Sequence, residues 1–179
     1  MKKRSGKKGH GEGRACWECG TSPMTITTGN HRYMLADDWG ATLEGVEYSR
    51  CEKCGTGGVT IDRPLPLQRA IAAAVVRKPT RLAAQEVKFL RVHLDMQAKE
   101  LASILGVRKE AMSRWENGKE KIGTVPDRLL RTVVLLADGG EDQFDPRQLA
   151  AIVEGDGPMR LTVRMRDGHW EARPAGKAA

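Results

Sequence analysis

The sequence predicts an α+β chain in three parts: a small β-rich N-terminal domain, an all-helical domain, and a short helix/hairpin extension. Three observations predict it. Two Cys-x-x-Cys-Gly turns, Cys16–Gly20 and Cys51–Gly55, bracket strand-like pieces of alternating polarity. Apolar residues then recur with helical spacing between Thr80 and Ala137. Alternation returns in Leu161–Arg173 around Asp167-Gly168, a pair suited to a two-residue hairpin turn.

A chain of 179 residues has a one- or two-domain length. It holds no apolar run of the ~18 residues a membrane helix needs. Its N-terminus is basic but lacks the apolar core of a secretory signal. A cytoplasmic setting is therefore expected, where four cysteines serve as metal ligands more readily than as disulfides. The net charge of +7 is unevenly divided. Residues 1–14 carry six Lys/Arg against one Glu, and residues 15–62 carry three against seven Asp/Glu. Residues 63–137 carry fifteen against seven, and the remainder six against eight. The positive excess thus falls on the tail and on the helical segment, where a polyanion would bind.

Taken in order, residues 1–14 form a Gly/Lys-rich stretch that cannot bury a core and is expected to be a disordered basic tail. Residues 15–62 form the cysteine domain. Each Cys-x-x-Cys turn presents two sulfurs, and the glycine after it can take positive φ so that backbone N–H groups point at sulfur. Cys16, Cys19, Cys51 and Cys54 are the expected ligands of a structural Zn2+; four thiolates also suit a single iron, and two dithiols suit redox exchange. The pieces Met24–Thr28, His31–Leu35 and Thr42–Ser49 read as strands, with turns at Gly29-Asn30 and Asp37–Gly40. Gly57–Asp62 reads as a closing strand. Residues 63–79 open on Arg63-Pro64-Leu65-Pro66, an extended break, and continue as a linker or bridging helix ended by Pro79.

Residues 80–137 are the helical domain. Val87, Leu90 and Leu94 make the inward stripe of its first helix. The stretch Gln97–Gly118 reads as two short helices joined at Gly106, with Leu101, Ala102 and Leu105 inside the first. Ala111, Met112 and Trp115 lie inside the second, leaving Arg108, Lys109, Glu110, Ser113 and Arg114 outside. Three cations, a carboxylate and a hydroxyl on one face suit base edges and phosphates. The helix from Pro126 to Ala137 holds too many apolar residues for one stripe, so part of it is expected to face a second copy of the chain. Leu130, Val133, Val134 and Ala137 are the expected interface of that homodimer; the alternative is a helix sandwiched between its own domain and the C-terminal segment. Residues 138–179 hold a short helix begun at Asp145-Pro146 and the hairpin, with no assigned role.

ELASILGV followed by SRWENG resembles the helix-turn-helix of Xre/Cro-type DNA-binding proteins, over about Leu82 to Leu136. Glu100, Leu101, Ala102, Leu105, Gly106, Val107 and the run Ser113–Gly118 sit on family positions. Gln97 and Arg108 stand where the family has Ser or Thr, and Ala98 stands where it has Gln, so both helices lack an N-cap hydroxyl. The resemblance implies binding to double-stranded operator DNA, with the second helix in the major groove. Gln97, Arg108, Lys109, Glu110, Ser113, Arg114 and Lys119 are the implied contacts. Arg114 could grip a guanine, and Glu110 could accept from cytosine or pair with Arg114.

The order of a four-cysteine domain before such a domain is similar to antitoxins of the MqsA type, over about Cys16 to Leu136. That resemblance implies a structural zinc, a homodimer, a repressor of its own operon, and an N-terminal domain that masks a toxin protein. A toxin-free zinc and helix-turn-helix regulator is the alternative. The sequence has no Ser/His/Asp grouping, phosphate loop or carboxylate cluster, so an enzyme is not expected.

Overall fold

A computed structural model describes residues 15–20, 23–139, 144–155 and 157–176. The basic tail expected over residues 1–14 lies outside the described residues. Strands β1 (Met24–Ala36) and β2 (Trp39–Cys51) form one long hairpin. Asp37 takes a positive φ of 48° at its turn. The turn expected at Gly29-Asn30 is absent, and both residues lie inside β1. They are exposed there, so the strand needs no apolar side chain at that point. β3 (Gly57–Thr60) pairs antiparallel with β2, setting Glu47 opposite Thr60 and Arg50 opposite Gly57.

Among the described residues six helices follow: α1 (Pro64–Val76), α2 (Ala84–His93), α3 (Ala98–Ile104), α4 (Lys109–Glu116), α5 (Thr124–Asp138) and α6 (Arg147–Ala150). The prolines of α1 sit in its first turn, where the missing N–H has no partner to lose. β4 (Leu161–Arg166) and β5 (His169–Pro174) close as an antiparallel hairpin through Asp167 and Gly168, both at positive φ, as a type I′ turn requires. The sheet runs β1-β2-β4-β5, with β3 paired to β2 off that path.

The chain divides into two compact units, and the division overturns the expected fold class. The first unit takes the described residues up to His31 together with Glu44–Asp62. The second takes Arg32–Leu43 and the described residues from Arg63 onward, so the tip of the β1–β2 hairpin belongs to it. An all-α Xre-type domain over residues 80–137 is therefore not present. The helices share their core with strands at both ends of the sequence. α1, expected as a linker or bridging helix, packs on β5, α5 and α2 and buries Leu67, Ile71, Ala72 and Val75 completely. The C-terminal hairpin, expected to be an extension, supplies Leu161, Val163 and Trp170 to the interior. From the hairpin tip, Trp39 stands edge-on to Phe89 at 5.6 Å and donates its indole N–H to the Met159 carbonyl at 2.7 Å.

Among the described residues of the second unit four charged side chains are buried, and each is paired. Lys78 Nζ donates to Glu86 at 2.7 Å, and Glu86 also accepts from the backbone N–H groups of Ala83 and Met159. Arg131 Nε donates to Asp127 at 2.7 Å, and its Nη groups donate to the carbonyls of Val76, Lys78 and Thr80. These bonds fasten the α1–α2 connection to α5. A buried charge without such partners would be costly.

The four expected dimer residues divide between the interior and the surface of α5. Leu130 and Val134 are buried within their own chain, which removes them from any outer face. Of the other two, Val133 is half-buried and Ala137 is exposed, as are the large apolar residues Val125, Leu129 and Leu136 of the same helix. Among the described residues no helix is long and apolar enough to cross a membrane.

Candidate functional site

The two Cys-x-x-Cys turns come together in the first unit. In each, the glycine takes positive φ (64° at Gly20, 76° at Gly55) and its N–H closes the turn on the first cysteine's carbonyl at 2.9 Å. The turn aims the Glu18 N–H at Cys16 Sγ, 3.4 Å away. Cys16 and Cys51 are buried against Met24, Cys19 is half-buried, and Cys54 is exposed.

The four Sγ atoms all lie within 4.8 Å of one another, with Cys16 to Cys54 at 3.6 Å and Cys19 to Cys51 at 3.7 Å. An ion bound tetrahedrally at a metal–sulfur distance of ~2.3 Å sets its sulfurs roughly 3.8 Å apart. The cluster therefore fits a metal ion, with all four corners filled by protein. The thiols differ in acidity. Side-chain and backbone hydrogen bonds from Thr56 hold Cys54 below the ordinary thiol value. At Cys16 the Cys19 N–H pulls downward, but burial and the neighbouring thiols leave it above that value. His31 is outside the cluster.

The second candidate surface is α3 with α4. Gly106, at φ 67°, ends α3 by letting the Val107 N–H reach the Ala102 carbonyl at 2.9 Å. Met112 and Trp115 anchor α4 inside. Arg91 on α2 grips Glu116 at the end of α4 with two bonds of 2.6 and 3.2 Å, fixing the roll of the helix. Gln97, Arg108, Lys109, Glu110, Ser113, Arg114 and Lys119 are all exposed. Arg114 is paired with Glu120 at 2.7 Å; the partner weighed from the sequence was Glu110. Asn117 donates to the Ser113 carbonyl at 2.7 Å, which steadies the end of α4.

Sequence reasoning missed a neighbouring group of cations. Arg81, before α2, and Lys121, before α5, both reach Glu154. No periodicity could have marked them, because all three lie in connections between elements.

Comparison of the chain with protein-family models, with curated proteins and with solved structures finds no match. The resemblance to Xre-type and MqsA-type proteins is thus not carried by any relative. What stands of it is the cluster of four cysteines.

Proposed function

We propose that this chain is a sequence-specific double-stranded DNA-binding regulator in which α4 reads base edges. The observation that carries the reading is one exposed face, holding Arg108, Lys109, Glu110, Ser113 and Arg114, on a helix whose orientation is fixed from behind by Met112, Trp115 and the Arg91–Glu116 pair. A rigid helix with cations and a carboxylate outward suits the donor and acceptor pattern of the major groove. The four cysteines are read as holding a structural Zn2+, because a closed set of thiolates leaves no open position for chemistry.

Selection of bound duplexes from a random pool tests the reading. A single enriched motif is expected, with Arg114→Ala losing preference at one base pair per site, at a cost of roughly 1–3 kcal/mol in discrimination. Uniform weakening on all sequences would make Arg114 a phosphate contact, and no enrichment would overturn the reading.

A second, finer reading is that the first unit docks a basic protein, as the toxin partner of an antitoxin would. Residues 15–31 and 44–62 carry five carboxylates against two Lys/Arg, and Trp17 stands 61% exposed in the first knuckle. An exposed aromatic within an acidic surface suits a hot spot for a cationic partner. Trp17→Ala in the full chain should abolish neutralisation of a toxin encoded beside it while leaving DNA binding intact. Equal loss of both would count against a separate docking role.

A further inference from the structure

The cations beside α4 are held by a carboxylate of the chain itself. Arg81 Nη2 lies 2.7 Å from Glu154 Oε1 and donates to Thr124 Oγ1 at 2.9 Å. Lys121 Nζ lies 3.7 Å from the other Glu154 oxygen. Arg81 Nε is shielded and bonds to no atom among the described residues. Thr124 begins α5, so its hydroxyl stands at the positive end of a 15-residue helix. The group adjoins the C-terminal end of α4, because Arg81, Lys121 and Gly155 line the same groove as Trp115, Gly118 and Glu120.

The placement of Glu154 is built into the fold. Val153 joins the segment before α2 through two backbone bonds, Arg81 N–H to the Val153 carbonyl at 2.8 Å and Val153 N–H to the Pro79 carbonyl at 3.1 Å. On its other side Gly155 approaches Thr80 so closely that a Cβ would lie 2.5 Å from the threonine Cβ. Glu154 is held between these two fixed residues. Its carboxylate has the charge and the paired oxygens of a phosphodiester, and it meets the guanidinium as a phosphate would.

We propose that Arg81, Lys121 and Thr124 form a phosphodiester-binding site for duplex DNA next to α4, and that Glu154 occupies this site in the free protein and competes with DNA for it. The inference rests on the reading of α4 as a DNA-binding helix. The carboxylate then acts as a brake on duplex binding. A phosphate alone displaces it poorly, whereas base contacts by α4 hold the backbone in place long enough to exchange.

The test uses the full chain, a duplex of unrelated sequence and the selected duplex, each titrated over a range of salt. Glu154→Gln should tighten the unrelated duplex about two- to fivefold, the range that an exposed ion pair spans. It should steepen the salt dependence by about one phosphate contact, a change of ~0.9 in the log–log slope. The selected duplex should gain at least as much, because its binding to the unmodified chain has to break the Glu154 ion pairs, while its salt slope should stay unchanged. Lys121→Ala in the Glu154→Gln background should remove the gain; Lys121 is 69% exposed, so this change leaves the core untouched. If the unmodified chain binds duplex DNA and Glu154→Gln matches it in affinity and slope, this inference fails and the reading of α4 stands. If the unmodified chain binds no duplex at all, the reading of α4 fails and this inference with it.

Discussion

Arg131 uses its guanidinium as a junction. It is fully buried, and it meets Asp127 one turn earlier on α5 together with three carbonyls of the α1–α2 connection. Asp127 in turn accepts the Leu82 N–H at 2.7 Å, so the pair ties both ends of that connection. Removing one partner would leave the other charged, buried and unpaired. Asp127→Ala should therefore cost about 3–5 kcal/mol in urea unfolding. Arg131→Lys should also destabilise, by roughly 2 kcal/mol or more, because a single ammonium cannot span the same four acceptors. A loss below ~1 kcal/mol for Asp127→Ala would show that water reaches the pair. The four cysteines were legible at this scale because ligand spacing is local, whereas Asp127 and Arg131 were not. On a helix, charged residues ordinarily face water, and only packing from α1 turns this face inward.

The end of α3 at Gly106 was legible in the sequence, whereas the end of α2 at Asp95 was not. Asp95, Gly106 and Gly118 each take a positive φ just past α2, α3 and α4, and each lets the next N–H bond back into the helix. The helix starts are weaker. α3 and α4 have no side-chain cap, and only the Glu100 carboxylate, accepting the Gln97 N–H at 2.7 Å, supplies half of a capping box to α3. Gln97→Ser should raise stability by about 1 kcal/mol in thermal or urea melts, and an unchanged midpoint would mean that Glu100 already suffices. α5 shows what periodicity leaves open. Its surplus of apolar residues suggested a face for a second copy, yet Leu130 and Val134 pack inside while Leu136 stands 67% exposed. Leu130→Ala should cost about 2–5 kcal/mol, and Leu136→Ala should change monomer stability by no more than about 0.5 kcal/mol. The reverse order would place the helix the other way round.

At the scale of the molecule, the two units make separate demands. With a metal held by the four cysteines as proposed, a chelator should perturb Trp17, the one tryptophan of the first unit, and leave the near-ultraviolet signals of Trp39, Trp115 and Trp170 in place. Coincident loss of all four would show that the units melt together. The second unit makes the larger demand, because its core is assembled from distant parts of the sequence. Reading along the chain finds a helix pair and a hairpin, but adjacency of β2 to β4 is a non-local fact that no local period encodes. This bears on any attempt to isolate the helices. A fragment from Thr80 to Ala137 would lack α1, with Leu67, Ile71, Ala72 and Val75 fully buried, and the hairpin, with Leu161, Val163 and Trp170. It would also strip Lys78 and the Met159 N–H from Glu86, leaving that carboxylate short of partners. Each large apolar side chain contributes about 1.5–3 kcal/mol on burial, so the missing residues together match or exceed a typical net stability of 5–15 kcal/mol. The fragment should be unfolded by circular dichroism and bind no DNA. A chain running from Arg63 through Gly176 restores α1 and the C-terminal hairpin but still lacks Trp39, Ala41 and Leu43 of the β1–β2 tip, so it should fold but melt below the full chain. If instead the short fragment folds and binds duplex as well as the full chain does, the helices are a self-sufficient domain and the strands of the second unit merely cover it.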